Sequence, residues 1–536
     1  MKNNRVHIVW ILVTGLALIS GILIGYYFSF RQGPQVSMEE KHKQSKIENL
    51  LQFIEENYVD EIDTDSIVDE VINEILAKLD PHSIYIPRQE SRKVEETMQG
   101  NFVGLGVEFQ VDNDTFTIQR VLEGSPARKA GLRAFDQILS IDGDTIAGKQ
   151  IPVDSIVKRL KGKPGSVVRL TVFRPFADST FDIALKRARV PLHSVPASVM
   201  INDTLGYIKI DLFSETTYEE FKKALKKLKN KGMKALVLDL RGNSGGYLKQ
   251  ANLIADEFLE TGNLIFYTKN KKNKIRKVYA TGRGAFEKGT LYVLIDENTA
   301  SASEIIAGAL QDNDRAVIVG RRSFGKGLVQ EEVHLKDGSM LRITTSRYYT
   351  PSGRSIQTPY ENGRKDDYER RFYERYYSGE LYHKDSVHFP DSLKFRTKNG
   401  RIVYGGGGIM PDLFVPLSKN YHTDSYQYIM LRRYLDRFLR DYALQHYDKL
   451  ARMTSDEYAS NDTLGRSIYR YVTKKSSWNG QEFDPEKKQR FQNLLHALLG
   501  RDLYGTGVYY RIRLQTDAMI DSILKRANPG NAKARQ

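Results

Sequence analysis

No cysteine occurs among the 536 residues. That excludes disulfides, thiolate zinc sites, iron–sulfur clusters and a cysteine nucleophile. It also leaves no cysteine to carry a lipid anchor. Charge is missing from one long stretch, Ile8 to Phe30. As a helix rising about 1.5 Å per residue it spans roughly 33 Å, enough for a bilayer core. Lys2 and Arg5 precede it, which keeps the N-terminus cytoplasmic and sends the rest across. The alternative is a cleaved signal peptide, whose apolar region is about 7–15 residues and ends in small residues. Here the run ends in Tyr26-Tyr27-Phe28-Ser29-Phe30 and then Arg31. The expectation is an uncleaved single-pass anchor in the inner membrane, with the bulk of the chain on its periplasmic or extracytoplasmic side.

The rest is an ordinary globular mixture, 40% hydrophobic and 27% charged. Its length allows about three or four domains. Lys and Arg number 81 against 66 Asp and Glu, a formal charge of +15. Much of the excess sits in Lys222–Lys234 and Lys269–Lys277. The first reads as an amphipathic helix, with Phe221, Leu225 and Leu228 on one face and lysines on the other. A solvated helix face accounts for it, and no zinc-finger, homeodomain or RNA-binding motif is present, so no nucleic-acid partner is expected.

Hydrophobic texture divides the remainder. Ile47, Leu50, Leu51, Ile54 and Tyr58, then Ile67, Val71, Ile72 and Ile75, repeat at helical spacing. Leu79-Asp80-Pro81-His82-Ser83 breaks that pattern and reads as a turn rather than a catalytic Asp–His pair. Short strands and glycine turns fill Gly100 to Arg187. Phe102-Val103-Gly104-Leu105-Gly106-Val107 is a glycine-broken strand entry. Ser125-Pro126-Ala127 opens a short helix capped at Gly131, and Ile138–Ile141 runs into Asp142-Gly143. This order resembles a PDZ domain, with Ala134-Phe135-Asp136 where that family commonly has Pro-Gly-Asp. The resemblance implies that backbone N–H groups around Gly104, Leu105, Gly106 and Val107 receive a peptide's C-terminal carboxylate.

From about 190 to 350, strands alternate with helices, an α/β pattern. Leu236–Leu240 runs into Arg241-Gly242-Asn243-Ser244-Gly245-Gly246. Leu291–Ile295 runs into Asp296–Thr299 and a helix near Ala300. Ala316–Val319 runs into Gly320–Gly327. Sites in such sheets lie beyond the carboxyl ends of strands. Past 360 the chain is charged, aromatic and irregular until Gly405–Gly408. Tyr428, Leu431, Tyr434, Leu435, Phe438, Leu439 and Tyr442 then mark an amphipathic helix. Asp484-Pro485 opens another, with Gly500 as its expected stop.

Ser301 stands where a strand turns into a helix, near free N–H groups that favour an oxyanion. Ser301-x-x-Glu304 is equally a capping box, and Ser303 is a second candidate. Lys326 follows 25 residues on, between two glycines. Burial there lowers an ammonium's pKa and makes it a candidate general base, with Gln330 placed to orient it. Gly320-x-x-x-x-Gly325-Lys326 is most of a phosphate-binding loop. It lacks the Ser or Thr for Mg²⁺, and Leu328–Val333 reads as a strand where a helix is required. His193 and His334 sit in no recognisable motif with an acid.

Five motifs in one order resemble the C-terminal processing peptidases. They are Leu79–Ser83, Leu240–Gly246, Ser301-Ala302-Ser303-Glu304, Phe324–Gly327 with Gln330, and Tyr349–Gln357. A PDZ-like insert lies between the first two, and the resemblance covers roughly residues 45–415. It implies a serine endopeptidase in which Ser301 is the nucleophile, Lys326 the base and Gln330 its assisting amide. It further implies that the N–H groups of Gly246 and Ala302 form the oxyanion hole, with no metal and no cofactor. The expected organisation is α/β and multidomain. It comprises an anchor and linker (1–35), a helical region (36–98), the PDZ domain (99–187), the α/β protease core (188–416) and a helical region (417–536). Expected partners are protein or peptide substrates held by their C-termini, and the membrane. The helical segments before 80 and after 425 are candidates for self-assembly or adaptor binding. The rival expectation is a tethered PDZ adaptor with a dead protease core.

Overall fold

The computed structural model describes residues 44–418, 434–475 and 484–527. The expected anchor, the residues Tyr428 and Leu431, and the closing segment 528–536 lie outside them. No helix among the described residues is long and apolar enough to cross a membrane. The chain divides into two units, Met1–Ile72 and Asn73–Gln536. In the first, helix Gln44–Asn57 presents Ile47, Leu50 and Phe53 to solvent.

In the second unit, a six-stranded sheet runs in the order Ala197–Met200, Leu205–Lys209, Ala235–Asp239, Thr290–Ile295, Val317–Gly320, Leu413–Phe414. Its first pair is antiparallel and the others are parallel. The inner strands are apolar on both faces because both faces are covered. Helices Thr217–Asn230, Leu248–Asp256 and Ala302–Asp312 cover one face, packing Phe221, Ile254 and Ile306 around Leu236, Leu238 and Val293. Leu514, Met519, Ile520 and Ile523 of the C-terminal region cover the other, against Tyr207, Val237, Leu294 and Val319. The basic helix therefore has the amphipathic burial expected, with Phe221, Leu225 and Leu228 inside.

A second sheet joins Ile84–Ile86, Met340–Tyr349, Leu264–Asn270 and Ile275–Tyr279, with Leu328–His334 also paired to Met340–Tyr349. Leu328–His334 is thus a strand, which disposes of the phosphate-loop alternative.

The expected PDZ domain is a six-stranded antiparallel sheet around Phe116, Ile118, Ile138, Ile156, Val168 and Leu170. Its short helix begins where Ser125 accepts the Arg128 N–H and Pro126 takes the first turn. Strand Val107–Asp112 is an edge of the sheet.

Two local expectations change. Helix Pro485–Tyr504 runs through Gly500 and stops at Gly505. A Cβ at Gly500 would lie 2.7 Å from the Tyr458 ring, so this glycine admits a neighbouring side chain rather than ending the helix. The stretch after 360 contains a helix, Lys365–Tyr377, whose charged sequence hides the aromatic face formed by Tyr368 and Phe372.

The unusual turn in the PDZ domain has a structural role. Phe135 has φ +74°, a conformation that disfavours any side chain larger than glycine's. Yet its ring is buried in the core of the C-terminal helices, beside residues such as Leu439, Leu495 and Leu499. Phe176 stacks on Tyr447 at 3.9 Å, and Arg440 pairs with Asp112 at 2.7 Å. The turn carries a knob that docks the PDZ domain on the C-terminal helices.

Candidate active site

Three loops leave the carboxyl ends of neighbouring strands of the central sheet and meet. The first is Arg241–Gly246. The Asn243 amide oxygen accepts the Gly245 N–H at 2.8 Å, and the Asn243 carbonyl accepts the Ala300 N–H and the Ser303 hydroxyl. Ser303 is thereby committed to structure. Gly246 forms a parallel bridge with Phe213, made by the Phe213 N–H to Gly245 and the Tyr247 N–H to Phe213. In that pattern the Gly246 N–H takes no part and faces the opposite way. Only glycine fits: φ is +132°, and a Cβ would lie 2.4 Å from the Phe213 oxygen. Gly245 approaches so closely that a Cβ there would lie 2.8 Å from Ser301 Cβ and 3.1 Å from the Ala302 nitrogen.

The second loop ends at Ser301, the N-cap of helix Ala302–Asp312, with φ +56° and ψ −116°. Such backbone strain costs about 1–3 kcal/mol and persists only where neighbours over-determine it. Here they do. The Ser301 N–H donates to Glu304 Oε2 at 2.8 Å, and its carbonyl accepts the N–H groups of Glu304 and Ile305. The capping box forms through Glu304. It holds the backbone in this strained turn, so the capping and nucleophile readings of Ser301 are compatible. Ala302 is the first helical residue, where an N–H has no partner within the helix.

The third loop carries Lys326. Its Nζ donates to Gln330 Oε1 at 2.6 Å, and Gln330 Nε2 donates to the His82 carbonyl at 2.5 Å. A β-bulge between Val329 and Gln330 shifts the register against Met340–Tyr349 and re-aims the amide. Burial, followed by the nearby Arg342 guanidinium, brings the Lys326 ammonium down to about 8. The Leu79–Ser83 turn is real: Asp80 accepts the N–H groups of His82 and Ser83 and the Ser83 hydroxyl. Burial, with Lys326 adjacent, lowers the His82 imidazole to about 4. His82 therefore serves the site through its carbonyl, with a neutral ring packed on Phe324 and Tyr368.

Glu304 and Tyr348 bind the loops together. Glu304 is fully buried and accepts four donors: the N–H groups of Ser301, Gly325 and Lys326, and the Ser323 hydroxyl. Burial raises its carboxyl to about 7, against the pull of those bonds. The Tyr348 hydroxyl lies 2.8 Å from the Lys326 carbonyl and 3.2 Å from the Ser301 carbonyl. Gln357 accepts the Gly327 N–H at 2.8 Å. His193 and His334 lie apart from this cluster, about half exposed beside Glu220 and Glu95.

Residues 204–369 match peptidase family S41, and residues 103–185 match the PDZ domain. Carboxy-terminal processing protease CtpB of Bacillus subtilis (strain 168) is 35% identical over 325 residues, 60% of this chain and 67% of the relative. A carboxy-terminal-processing protease of Bartonella bacilliformis is 35% identical over 313 residues, 58% of this chain and 71% of the relative. The chain belongs to the carboxy-terminal processing protease family. A solved photosystem II D1 C-terminal processing protease is 25% identical, with 69% of this chain and 86% of that chain covered, at a TM-score of 0.35.

In this family member the loop expected to receive a C-terminal carboxylate leaves backbone donors uncommitted. The Leu105 and Gly106 carbonyls accept from Ala127 and Leu122, while their N–H groups take no part in the loop's backbone bonds. Gly106 has φ +79°, and a Cβ there would lie 2.2 Å from Ser125 Cβ. Gly104 ends strand Asn101–Gly104, and Val107 begins the edge strand. The sequence alone did not point to Tyr348, to the carbonyl of His82 as the partner of Gln330, or to the joining role of Glu304. Glu304 had a visible signal, the Ser-x-x-Glu spacing, but it pointed to one helix cap and not to the lysine loop.

Proposed function

We propose that this family member is a serine endopeptidase that uses a Ser–Lys pair and binds its substrates by their C-termini. Neutral Lys326 takes the Ser301 Oγ proton as Oγ attacks the scissile carbonyl. The N–H groups of Gly246 and Ala302 donate to the tetrahedral oxyanion. Lys326 then protonates the departing amine, and an acyl-enzyme remains on Ser301. Water attacks that ester, again giving its proton to Lys326, which returns it to Ser301 as the acid product leaves. Gln330 holds the amine in place throughout. The observation that carries this reading is Lys326 itself: it is tethered to Gln330 at 2.6 Å and poised by burial at about 8.

Substrate tails are read by Leu105 and Gly106 N–H groups, with the chain adding as a strand along Val107–Asp112. The protein is tethered to the membrane by residues 8–30 and works outside the cytoplasm. Membrane fractionation with N-terminal sequencing tests the tether, and a mature chain that begins beyond Phe30 overturns it. For the chemistry, the test is turnover of a peptide with an apolar free C-terminus, wild type against Ser301→Ala. Turnover lost in the variant is expected. Wild type that binds the peptide without cleaving it leaves the PDZ adaptor instead.

A further inference from the structure

The C-terminal helices reach the loop that carries the oxyanion donor. Arg241 immediately precedes Gly242–Gly246, and its guanidinium is held from two sides. Asp239, at the end of its own strand, accepts Nε and Nη2 at 3.0 and 2.6 Å. Asp517, 276 residues away, accepts Nη1 at 2.7 Å. The Arg241 carbonyl is fixed by Lys209 Nζ, also at 2.7 Å.

Asp517 divides its two oxygens between two tasks. Oδ1 accepts the N–H groups of Met519 and Ile520 and so caps helix Ala518–Ala527. Oδ2 accepts Arg241. The helix it caps is locked to the sheet by Met519, Ile520 and Ile523. A charge mounted on a docked helix N-terminus thus fixes the arginine from which the oxyanion loop departs. Asp517 lies outside both family-matched segments.

We propose that Asp517 is a positioning residue for peptide hydrolysis, acting through Arg241 on the loop that presents the Gly246 N–H. This rests on the oxyanion role proposed above. A donor must lie where the oxyanion forms, not where the ground-state carbonyl sits, so small displacements act on the transition state more than on substrate binding.

Three variants of the full-length protein test it, with kcat expressed per active site titrated by a serine-directed phosphonate. Asp517→Ser keeps a helix-capping oxygen but loses the reach to Arg241. Its kcat falls by about tenfold with KM little changed, the scale of a slightly misplaced catalytic donor. Asp517→Asn keeps one acceptor, which still caps the helix, but sets its NH2 against the Arg241 donor, so its kcat falls as far as that of Asp517→Ser. Met519→Ala loosens the same helix without touching Arg241; it lowers Tm and leaves kcat per titrated site unchanged. A reversible peptide aldehyde, which mimics the tetrahedral state, weakens for Asp517→Ser by the same factor as kcat/KM.

If Asp517→Ser lowers only Tm or the number of titrated sites, its role is structural and the proposal fails. An equal kcat loss in Met519→Ala also defeats it. Inactive wild type, or Ser301→Ala with wild-type turnover, would instead defeat the underlying dyad reading, so the two failures are distinguishable.

Discussion

Gln330 and His82 are joined by a 2.5 Å hydrogen bond from side-chain amide to main-chain carbonyl, which turns the other end of the amide toward Lys326. Substituting Gln330→Glu places a carboxylate beside the lysine. An opposite charge favours the ammonium, so the lysine pKa rises and the acidic limb of the kcat/KM profile moves to higher pH. Gln330→Ala lowers kcat about 10–100-fold without that shift, since it removes orientation and no charge is added. A pH–rate series on both variants checks the pair.

In the proposed dyad the base must be neutral to act. With Lys326 lowered to about 8, kcat/KM climbs with pH through that region and flattens above it. Arg cannot deprotonate, so Lys326→Arg is inactive although it keeps the charge. Lys326→Ala is comparably inactive, because members of one catalytic unit do not contribute additively. His193→Ala and His334→Ala retain most activity. Peptide turnover by these variants, with folding checked by circular dichroism, decides whether lysine or histidine is the base.

Tyr348→Phe removes one hydroxyl that touches the carbonyls of both Ser301 and Lys326. The stability cost is about 1 kcal/mol, typical of one lost hydrogen bond. The loss in kcat is expected to exceed tenfold, since both loops lose a shared tether. Thermal melts beside steady-state kinetics separate the two effects.

Gly106→Ala sets a Cβ against Ser125 in a backbone region unfavourable to alanine. The loop must shift, and KM for a substrate with a free C-terminus rises by about tenfold or more, as expected when a carboxylate nest is broken. Amidating the substrate tail has the same effect on wild type and little further effect on the variant. Equal kcat/KM for acid and amide forms in wild type would remove the PDZ gate while leaving the protease.

Phe135→Ala takes a buried ring out of the C-terminal helical core and lowers stability by about 3 kcal/mol or more. The PDZ strands then exchange amide hydrogens faster, because their dock on the helices is lost. Unchanged Tm and exchange would mean that the ring does no holding.

The strand-to-helix pattern and the Ser301, Lys326 and Gly246 neighbourhoods were legible in the chain, because each depends on local spacing. Apolar runs end in glycine-rich loops, and such loops collect at one edge of a parallel sheet. The bulge that aims Gln330 was not legible, since register is a property of two strands and one sequence segment names only one of them. Glu304 looked like a cap because its nearest partner is three residues away; its other partners, Ser323, Gly325 and Lys326, are brought to it only by folding. Phe135 read as a changed turn until the helices that receive it were in place. Asp517 offered no signal at all, because its charge matters only where the last helix meets Arg241. Local periodicity decided the elements and the chemistry on offer. Long-range packing decided which backbone groups were left unpaired, which charges were buried, and where the C-terminal region enters the site.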